Sequence, residues 1–414
     1  MRRYTVDNVD FGVLRLPAQV LVGPGSVRSV AGLAASVGTR VFVCTDGVMV
    51  ATPEFAALRG DLERAGLTVE VYSEGVAELP LTTVDDCLER ARRAAPDLVL
   101  GYGGGSSLDL AKVTALLLRH PGPLSGYYGE NRVPGPVVPL IAVPTTAGTG
   151  SEVTPVAVVT DPGRELKVGV SSPYLIPTYA VCDPLLTHGC PPRVTAHSGI
   201  DAFAHAVESF TSARRGPEWG GTLGVFVGSN RLTAPLSLQA AGLIARHLPR
   251  AVRDPGDAQA RESMTYGSVC AGMAFGVAGT HLAHAVQYPV GAATKTPHGL
   301  GVGLLLPYAL QLCRDARLPE LAALARATGA ADSGDEAKDA QTMIDSVDAL
   351  RDTLGIPATL ADLGVERHEL DRLAEQAMTV TRLVNNTPVP VDAATMRRFV
   401  EAAWSGDRMS LVAS

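Results

Sequence analysis

Cysteine is scarce in this chain: six residues in 414, at positions 44, 87, 182, 190, 270 and 313, with no C-x-x-C pair and no regular spacing. That excludes a disulfide framework, and the six read as reduced, mostly buried thiols of a cytosolic protein. Long apolar runs are missing too. The longest, Val137–Val143 and Val302–Leu306, are stopped by proline far short of the ~20 residues a bilayer span needs. Met1-Arg2-Arg3-Tyr4-Thr5-Val6-Asp7 leads into no apolar stretch, so no secretory signal is read. There is no basic excess: 42 acids against 35 bases give a formal charge of −7, which argues against a footprint for nucleic acid. No fixed-period repeat or low-complexity tract is present. These absences predict a soluble, cytoplasmic chain. Its 46% apolar and 19% charged residues are those of an ordinary globular protein, large enough for two or three domains.

What is there changes character along the chain. Up to about residue 185, strand-like runs (Gln19–Val22, Arg40–Cys44, Val69–Tyr72, Leu98–Leu100, Val138–Val143) alternate with segments of helical spacing (Val27–Val37, Thr83–Ala95, Leu108–Leu118). That alternation predicts a parallel sheet covered on both faces. From about Pro191 the apolar period is mainly 3.6, over Gly199–Ser212, Ala234–His247, Gln259–Phe275, Leu318–Thr328 and Asp339–Leu354. The switch falls in the proline-rich stretch Asp183–Pro192. The expected organisation is therefore an α/β domain over residues 1–187 and a helical domain over residues 188–414.

Two loops at strand ends carry ligand chemistry. After Leu98-Val99-Leu100 comes Gly101-Tyr102-Gly103-Gly104-Gly105-Ser106-Ser107-Leu108-Asp109, then a helix. It reads equally as a tight turn and as a nest of backbone amides, backed by a helix N-terminus, for a pyrophosphate. It is neither a Walker A loop nor a strict G-x-G-x-x-G. Pro144-Thr145-Thr146-Ala147-Gly148-Thr149-Gly150-Ser151-Glu152-Val153-Thr154 reads as a Thr-rich capping turn or as a ligand loop at the carboxyl edge of the sheet. Asp46, just past a strand, reads as an exposed turn acid or as the acceptor of two ribose hydroxyls, which would repel a 2′-phosphate.

In the second half, Asp201 and His205 are spaced i, i+4 on one helix face, and His281, His284 and His298 follow in apolar, glycine-rich sequence. A carboxylate with imidazoles suits a divalent transition metal. Each histidine alone is as readily a structural residue, and His120, His188, His197, His247 and His368 are read that way.

Taken together these stretches resemble the iron-dependent (group III) alcohol dehydrogenase family. The resemblance rests on Gly103-Gly104-Gly105-Ser106 with Asp109 and Ala111-Lys112, on Pro144 to Glu152, on Asp201-x-x-x-His205, and on His284 followed by His298, in order over nearly the whole chain. It implies a Rossmann-like nucleotide domain, an all-α second domain of dehydroquinate synthase-like architecture, an active site in the cleft between, and a homodimer. It maps the metal ligands onto Asp201, His205, His284 and His298, with Fe²⁺ the family's ion and Zn²⁺ fitting the same donors. It maps NAD(H) contacts onto Asp46, Gly104, Gly105, Ser106, Thr145, Thr146, Thr149, Thr154, Lys167 and Thr187. The implied reaction is a metal-dependent, NAD(H)-linked alcohol dehydrogenase or aldehyde reductase.

Three departures bear on the branch. Tyr288 stands where many relatives carry a histidine assigned to proton relay, so the proton route is left to water, the cofactor ribose or His281. Glu78-Leu79-Pro80 replaces a Pro-Asn-Pro. A longer segment between His205 and His284, ending Gly228-Ser229-Asn230, is similar, with Tyr288, His281 and Lys295, to the hydroxyacid–oxoacid transhydrogenase branch. A transhydrogenase with retained nicotinamide is thus the alternative activity. Lys295 and Asn230, with Arg214, Arg215, Ser229 and Arg231, read either as a solvated loop or as a pocket for a short aldehyde bearing a carboxylate or phosphonate.

Overall fold

A computed structural model describes residues 10–164 and 166–412, and these divide into two compact units. One comprises residues 15–190. The other comprises residues 191–412 together with residues 10–14, which the expected division at residues 187/188 assigns to the α/β domain. Phe11 explains the difference: it is buried against Val227 and Val277, and its carbonyl accepts the Arg231 amide at 3.0 Å.

The first unit is the α/β part. Its elements are β1 (Gln19–Val22), α1 (Val30–Val37), β2 (Arg40–Asp46), α2 (Pro53–Arg64), β3 (Thr68–Gly75), α3 (Leu81–Ala94), β4 (Leu98–Gly103), α4 (Gly105–Arg119), β5 (Gly129–Glu130), β6 (Leu140–Pro144), β7 (Val156–Val159), β8 (Val168–Ser171) and β9 (Tyr179–Cys182). Six strands form a parallel sheet in the order β1-β9-β6-β4-β2-β3, and β5, β8 and β7 make a small separate sheet. β4 and β6 are buried at every residue, the mark of strands covered on both faces. Strand alternation sorts the two cores. Phe42 and Cys44 pack with α3 and α4, whereas Val41 and Val43 pack with α1 and α2. The helix α3 shows the matching stripe, Val84, Cys87, Leu88 and Ala91, at i, i+3, i+4, i+7.

From β2 the chain goes outward to β3 and then returns to β4 on the other side of β2. The order therefore reverses between β2 and β4, and ligands of open α/β sheets bind at the carboxyl ends of such a pair. Asp46 ends one of these strands and Gly103 ends the other.

The second unit is helical: α5 (Pro192–Thr211), α6 (Ala234–Arg253), α7 (Ala258–Ala278), α8 (Leu282–Thr294), α9 (His298–Cys313), α10 (Leu318–Thr328), α11 (Glu336–Thr353), α12 (Leu370–Thr379), α13 (Thr381–Asn385) and α14 (Ala393–Ser405). α5 lies at its centre, packed against α6, α7 and α9, and 15 of its 20 residues are buried. α7 and α8 turn by 99° at the break between them. Among the described residues no single helix is both long and apolar enough to cross a membrane.

Candidate metal centre and nucleotide site

Three helices of the second unit bring the metal-type side chains together. α5 supplies Asp201 and His205 from one face, α8 supplies His284 from its first turn, and α9 begins at His298. Gly299 makes this meeting of α9 and α5 possible. A Cβ there would lie 2.0 Å from the His197 carbonyl oxygen and 2.9 Å from Asp201 Cβ, so only glycine lets the start of α9 sit against α5.

Asp201 Oδ1 stands 3.8 Å from His205 Nε2, 3.6 Å from His284 Nε2 and 3.7 Å from His298 Nε2. Donor atoms of Asp201, His284 and His298 all fall within 4.8 Å of one another. These separations exceed hydrogen-bond length. They are close to the spacing of neighbouring donors around one cation with ligand bonds of about 2.1 Å. Asp201 Oδ1 and His284 Nε2 are buried without a hydrogen-bond partner, an arrangement that costs free energy unless a cation fills it. The residues present fit a divalent transition metal.

The supporting shell is as defined as the donors. His205 lies flat on Phe275, ring centroids 4.0 Å apart and planes 19° apart. His284 is held from behind by Glu208, whose Oε2 is 2.5 Å from His284 Nδ1. The other Glu208 oxygen accepts the Ala283 amide at 2.8 Å and lies 3.4 Å from His281 Nδ1. Electrostatics follow this layout. Burial alone would lower the His284 imidazole, but Glu208 and Asp201 outweigh it and push it up to about 9. Burial dominates at His205, bringing it down to about 4 despite Asp201. Burial would raise both acids, yet the surrounding imidazoles hold Asp201 and Glu208 below the usual carboxylate range. Both acids therefore stay ionised around a space that favours positive charge.

Glu208, which contacts His284, the Ala283 amide and His281, is not among the candidates that the sequence offers. Its spacing from Asp201, at i+7 on the same helix as His205, places it on the ligand-bearing face and was the available signal.

In the α/β unit, seven of the predicted cofactor residues cluster. The first turn of α4 has no side-chain cap; the Ser107 amide turns back to the Gly104 carbonyl at 3.0 Å, which leaves the amides of Gly105 and Ser106 as those that would meet an anion. A Cβ on Gly105 would lie 2.6 Å from Thr149 Cγ2, and one on Gly104 would lie 3.7 Å from Thr146 Cγ2. The Thr145 amide donates to the Gly103 carbonyl at 3.0 Å. Asp46 accepts the Val48 and Met49 amides through Oδ1, each at 2.9 Å, while Oδ2 takes only a 3.4 Å bond from Ser107. One oxygen fixes the acid and the other faces the glycine turn. A helix N-terminus without a side-chain cap, a close-packed glycine and an oriented acid suit a dinucleotide.

The other three expected cofactor residues, Thr154, Thr187 and Lys167, each have a partner within the protein. The carbonyl and hydroxyl of Thr154 accept from the buried Lys112 ammonium at 2.8 and 3.4 Å. Thr187 donates to the Pro184 carbonyl at 2.7 Å within its own turn. Lys167 is paired with Glu78.

Several polar residues read from the sequence as relay or substrate groups are otherwise engaged. His281 is fully buried, with Nε2 3.0 Å from Thr211 Oγ1, and so stands behind Glu208 rather than at a solvent face. Asn230 spends its side-chain amide on backbone: Oδ1 accepts from Val13 and Leu232 at 3.2 and 3.1 Å, and Nδ2 donates to Gly228 at 3.3 Å. Arg214 pairs with Glu320 and Arg231 with Asp10, at 3.0 and 2.5 Å. The segment ending at Asn230 is thus anchored by its own polar groups. Lys295 is exposed at the end of α8, with φ +56°, and its amide closes the helix on the Gly291 carbonyl. The Tyr288 ring stands 6.4 Å from that of His298.

Comparison with known proteins agrees across both units. Residues 17–184 match the family model described as iron-containing alcohol dehydrogenase, and residues 195–404 match the C-terminal model of the Fe-containing alcohol dehydrogenase family. The chain is 32% identical over 378 residues to sulfoacetaldehyde reductase of Bilophila wadsworthia, covering 89% of this chain and 93% of that protein. It is 35% identical over 371 residues to long-chain-alcohol dehydrogenase 1 of Geobacillus thermodenitrificans, covering 89% and 90%. A crystal structure of sulfoacetaldehyde reductase from Bifidobacterium kashiwanohense in complex with NAD⁺ superposes with a TM-score of 0.83 at 28% identity, covering 97% of this chain and all of that one. The chain belongs to the iron-containing alcohol dehydrogenase family.

Proposed function

We propose that this chain is a metal-dependent, NAD(H)-linked oxidoreductase that interconverts an alcohol and its aldehyde. One observation carries the reading: Asp201 Oδ1 lies 3.6–3.8 Å from the Nε2 atoms of His205, His284 and His298, and donor atoms of Asp201, His284 and His298 fall within 4.8 Å of one another. One carboxylate with three imidazoles suits Fe²⁺ or Zn²⁺. When bound, the ion supplies Lewis acidity toward the substrate oxygen and the nicotinamide exchanges hydride with the substrate carbon.

The protein's residues do the rest. Asp201 brings one negative charge against a divalent ion, so the loaded site stays net positive toward an incoming oxygen. His298 is the open side of the donor set: its side chain is 38% exposed, against 7% for His205 and His284 and 5% for Asp201. Substrate oxygen enters on that face, and proton hand-off there is assigned to Tyr288. His281, sealed behind Glu208, supports rather than relays. In the other unit the first-turn amides of α4 receive the pyrophosphate, with Thr145, Thr146 and Thr149 beside it and Asp46 Oδ2 for the ribose.

For the substrate, a short aldehyde with an acid group at its far end is the class we favour. Lys295 is three residues from His298, and no carboxylate pairs with it among the described residues, unlike Arg214 and Arg231. One relative carries the name sulfoacetaldehyde reductase, while another is named for long-chain alcohols. Removing metal with a chelator should abolish alcohol-dependent NAD⁺ reduction, and adding Fe²⁺ or Zn²⁺ should restore it. Full activity in chelated, metal-free protein would remove the basis of the reading.

A further inference from the structure

We propose that Glu208 is a positioning residue that fixes the tautomer and aim of His284, so that the affinity of the metal centre depends on a side chain that does not touch the ion. The inference rests on the metal-centre reading above and adds a residue to it. Glu208 sits on α5, seven residues after Asp201, and its side chain is wholly buried. Oε2 is 2.5 Å from His284 Nδ1, and a carboxylate can only accept there. In the neutral, ligating form of His284 the one ring proton therefore sits on Nδ1, which leaves the Nε2 lone pair on the side of Asp201 Oδ1, 3.6 Å away. Imidazole has one proton to place when neutral, so choosing Nδ1 decides that Nε2 is a ligand.

What keeps Glu208 in place is the start of α8. The N-cap residue of that helix, His281, makes no side-chain cap bond of its own. Glu208 Oε1 supplies the cap from α5, accepting the Ala283 amide at 2.8 Å. The helix dipole favours a negative charge at this end. His281, itself 3.0 Å from Thr211 Oγ1, walls the carboxylate off from water. One acid thus ties the α8 backbone and the His284 ring to the helix that carries Asp201 and His205. Ligand geometry is set by three contacts on Glu208, each within 3.4 Å.

The test is a double-mutant cycle read by Zn²⁺ affinity, measured by competition with a chromophoric chelator on the metal-stripped full chain. Glu208→Gln keeps the shape of the side chain and removes its charge. In the wild-type background it should weaken Zn²⁺ binding roughly 10–100-fold. In a His284→Ala background it should weaken binding less than about 3-fold, because the ring it acts through is gone. Equal losses in both backgrounds, or no loss in the first, would overturn the proposal. If His284→Ala itself binds Zn²⁺ as tightly as wild type, the metal-centre reading fails and this one with it. A second measurement uses the unmutated protein: ¹⁵N-imidazole NMR of the Zn²⁺-loaded chain should show His284 carrying its proton on Nδ1, and a proton on Nε2 would refute the assignment.

Discussion

The imidazole of His205 rests face to face on Phe275, with ring centroids 4.0 Å apart, and its Nδ1 has no hydrogen-bond partner. His284 is aimed by a carboxylate, but His205 is aimed by packing alone. Phe275→Ala should therefore act twice. It should destabilise the chain by about 3–5 kcal/mol, as truncation of a buried phenylalanine does, and it should loosen the metal. Phe275→Leu should recover most of the stability and only part of the metal affinity. Urea unfolding and Zn²⁺ competition on the two variants check this. Equal recovery of both quantities would show that the ring does not hold His205.

Asp46 should set cofactor choice. Its Oδ2 lies on the side of the glycine turn, where a 2′-phosphate would meet like charge, so NADH should be preferred over NADPH. Because Oδ1 also caps the Val48 and Met49 amides, Asp46→Asn is the cleaner variant: it keeps an acceptor and drops the charge. The ratio of kcat/KM for the two cofactors should narrow in that variant. A wild-type preference for NADPH contradicts the assignment.

Part of this candidate site is legible in the sequence, and the rest is hidden for physical reasons. Asp201 and His205 declared themselves by i, i+4 spacing, and α10 was read at the bounds it has because its apolar stripe is flanked by polar residues. α8 and α9 are not legible as helices. α9 is apolar on nearly every side, 13 of its 16 residues being buried, so no period of 3.6 stands out. The small sheet of β5, β7 and β8 was missed because its strands run only two to four residues. Glu208 escaped because a buried acid in a helix has no motif of its own. For Asn230 and Arg231 the sequence shows a polar side chain but not the backbone or carboxylate that engages it.

Glu152 and Lys112 should give stability a measurable pH dependence. Burial raises Glu152 to about 7 and lowers Lys112 to about 8. A raised acid means the folded state holds more protons than the unfolded chain between about 4.5 and 7, so this group's contribution to stability falls as pH rises through that window. A lowered lysine means the folded state holds fewer protons between about 8 and 10.5, so its contribution rises again there. Relative to wild type, Glu152→Gln should gain stability progressively from pH 5 to pH 7 in urea titrations. A constant difference across that range would show that Glu152 titrates as an ordinary acid in the fold.

Lys295 should decide between charged and uncharged aldehydes. If its ammonium meets the far end of the substrate, succinic semialdehyde should exceed butanal in kcat/KM, and Lys295→Ala should remove roughly 10-fold or more of that preference, the loss of a charge-assisted contact of about 1.5–3 kcal/mol. Butanal used as well as succinic semialdehyde, with Lys295→Ala changing neither, would leave the exposed end of α8 without a role in selectivity.

The central claim is that Asp201, His205, His284 and His298 hold one divalent ion on which turnover depends. The most direct measurement is the metal-to-chain ratio, taken together with kcat, in the purified protein and in the His284→Ala variant. The account predicts one Fe²⁺ or Zn²⁺ per wild-type chain, and in His284→Ala a folded protein with little metal and no turnover. Stoichiometric metal with unchanged kcat in His284→Ala would contradict it.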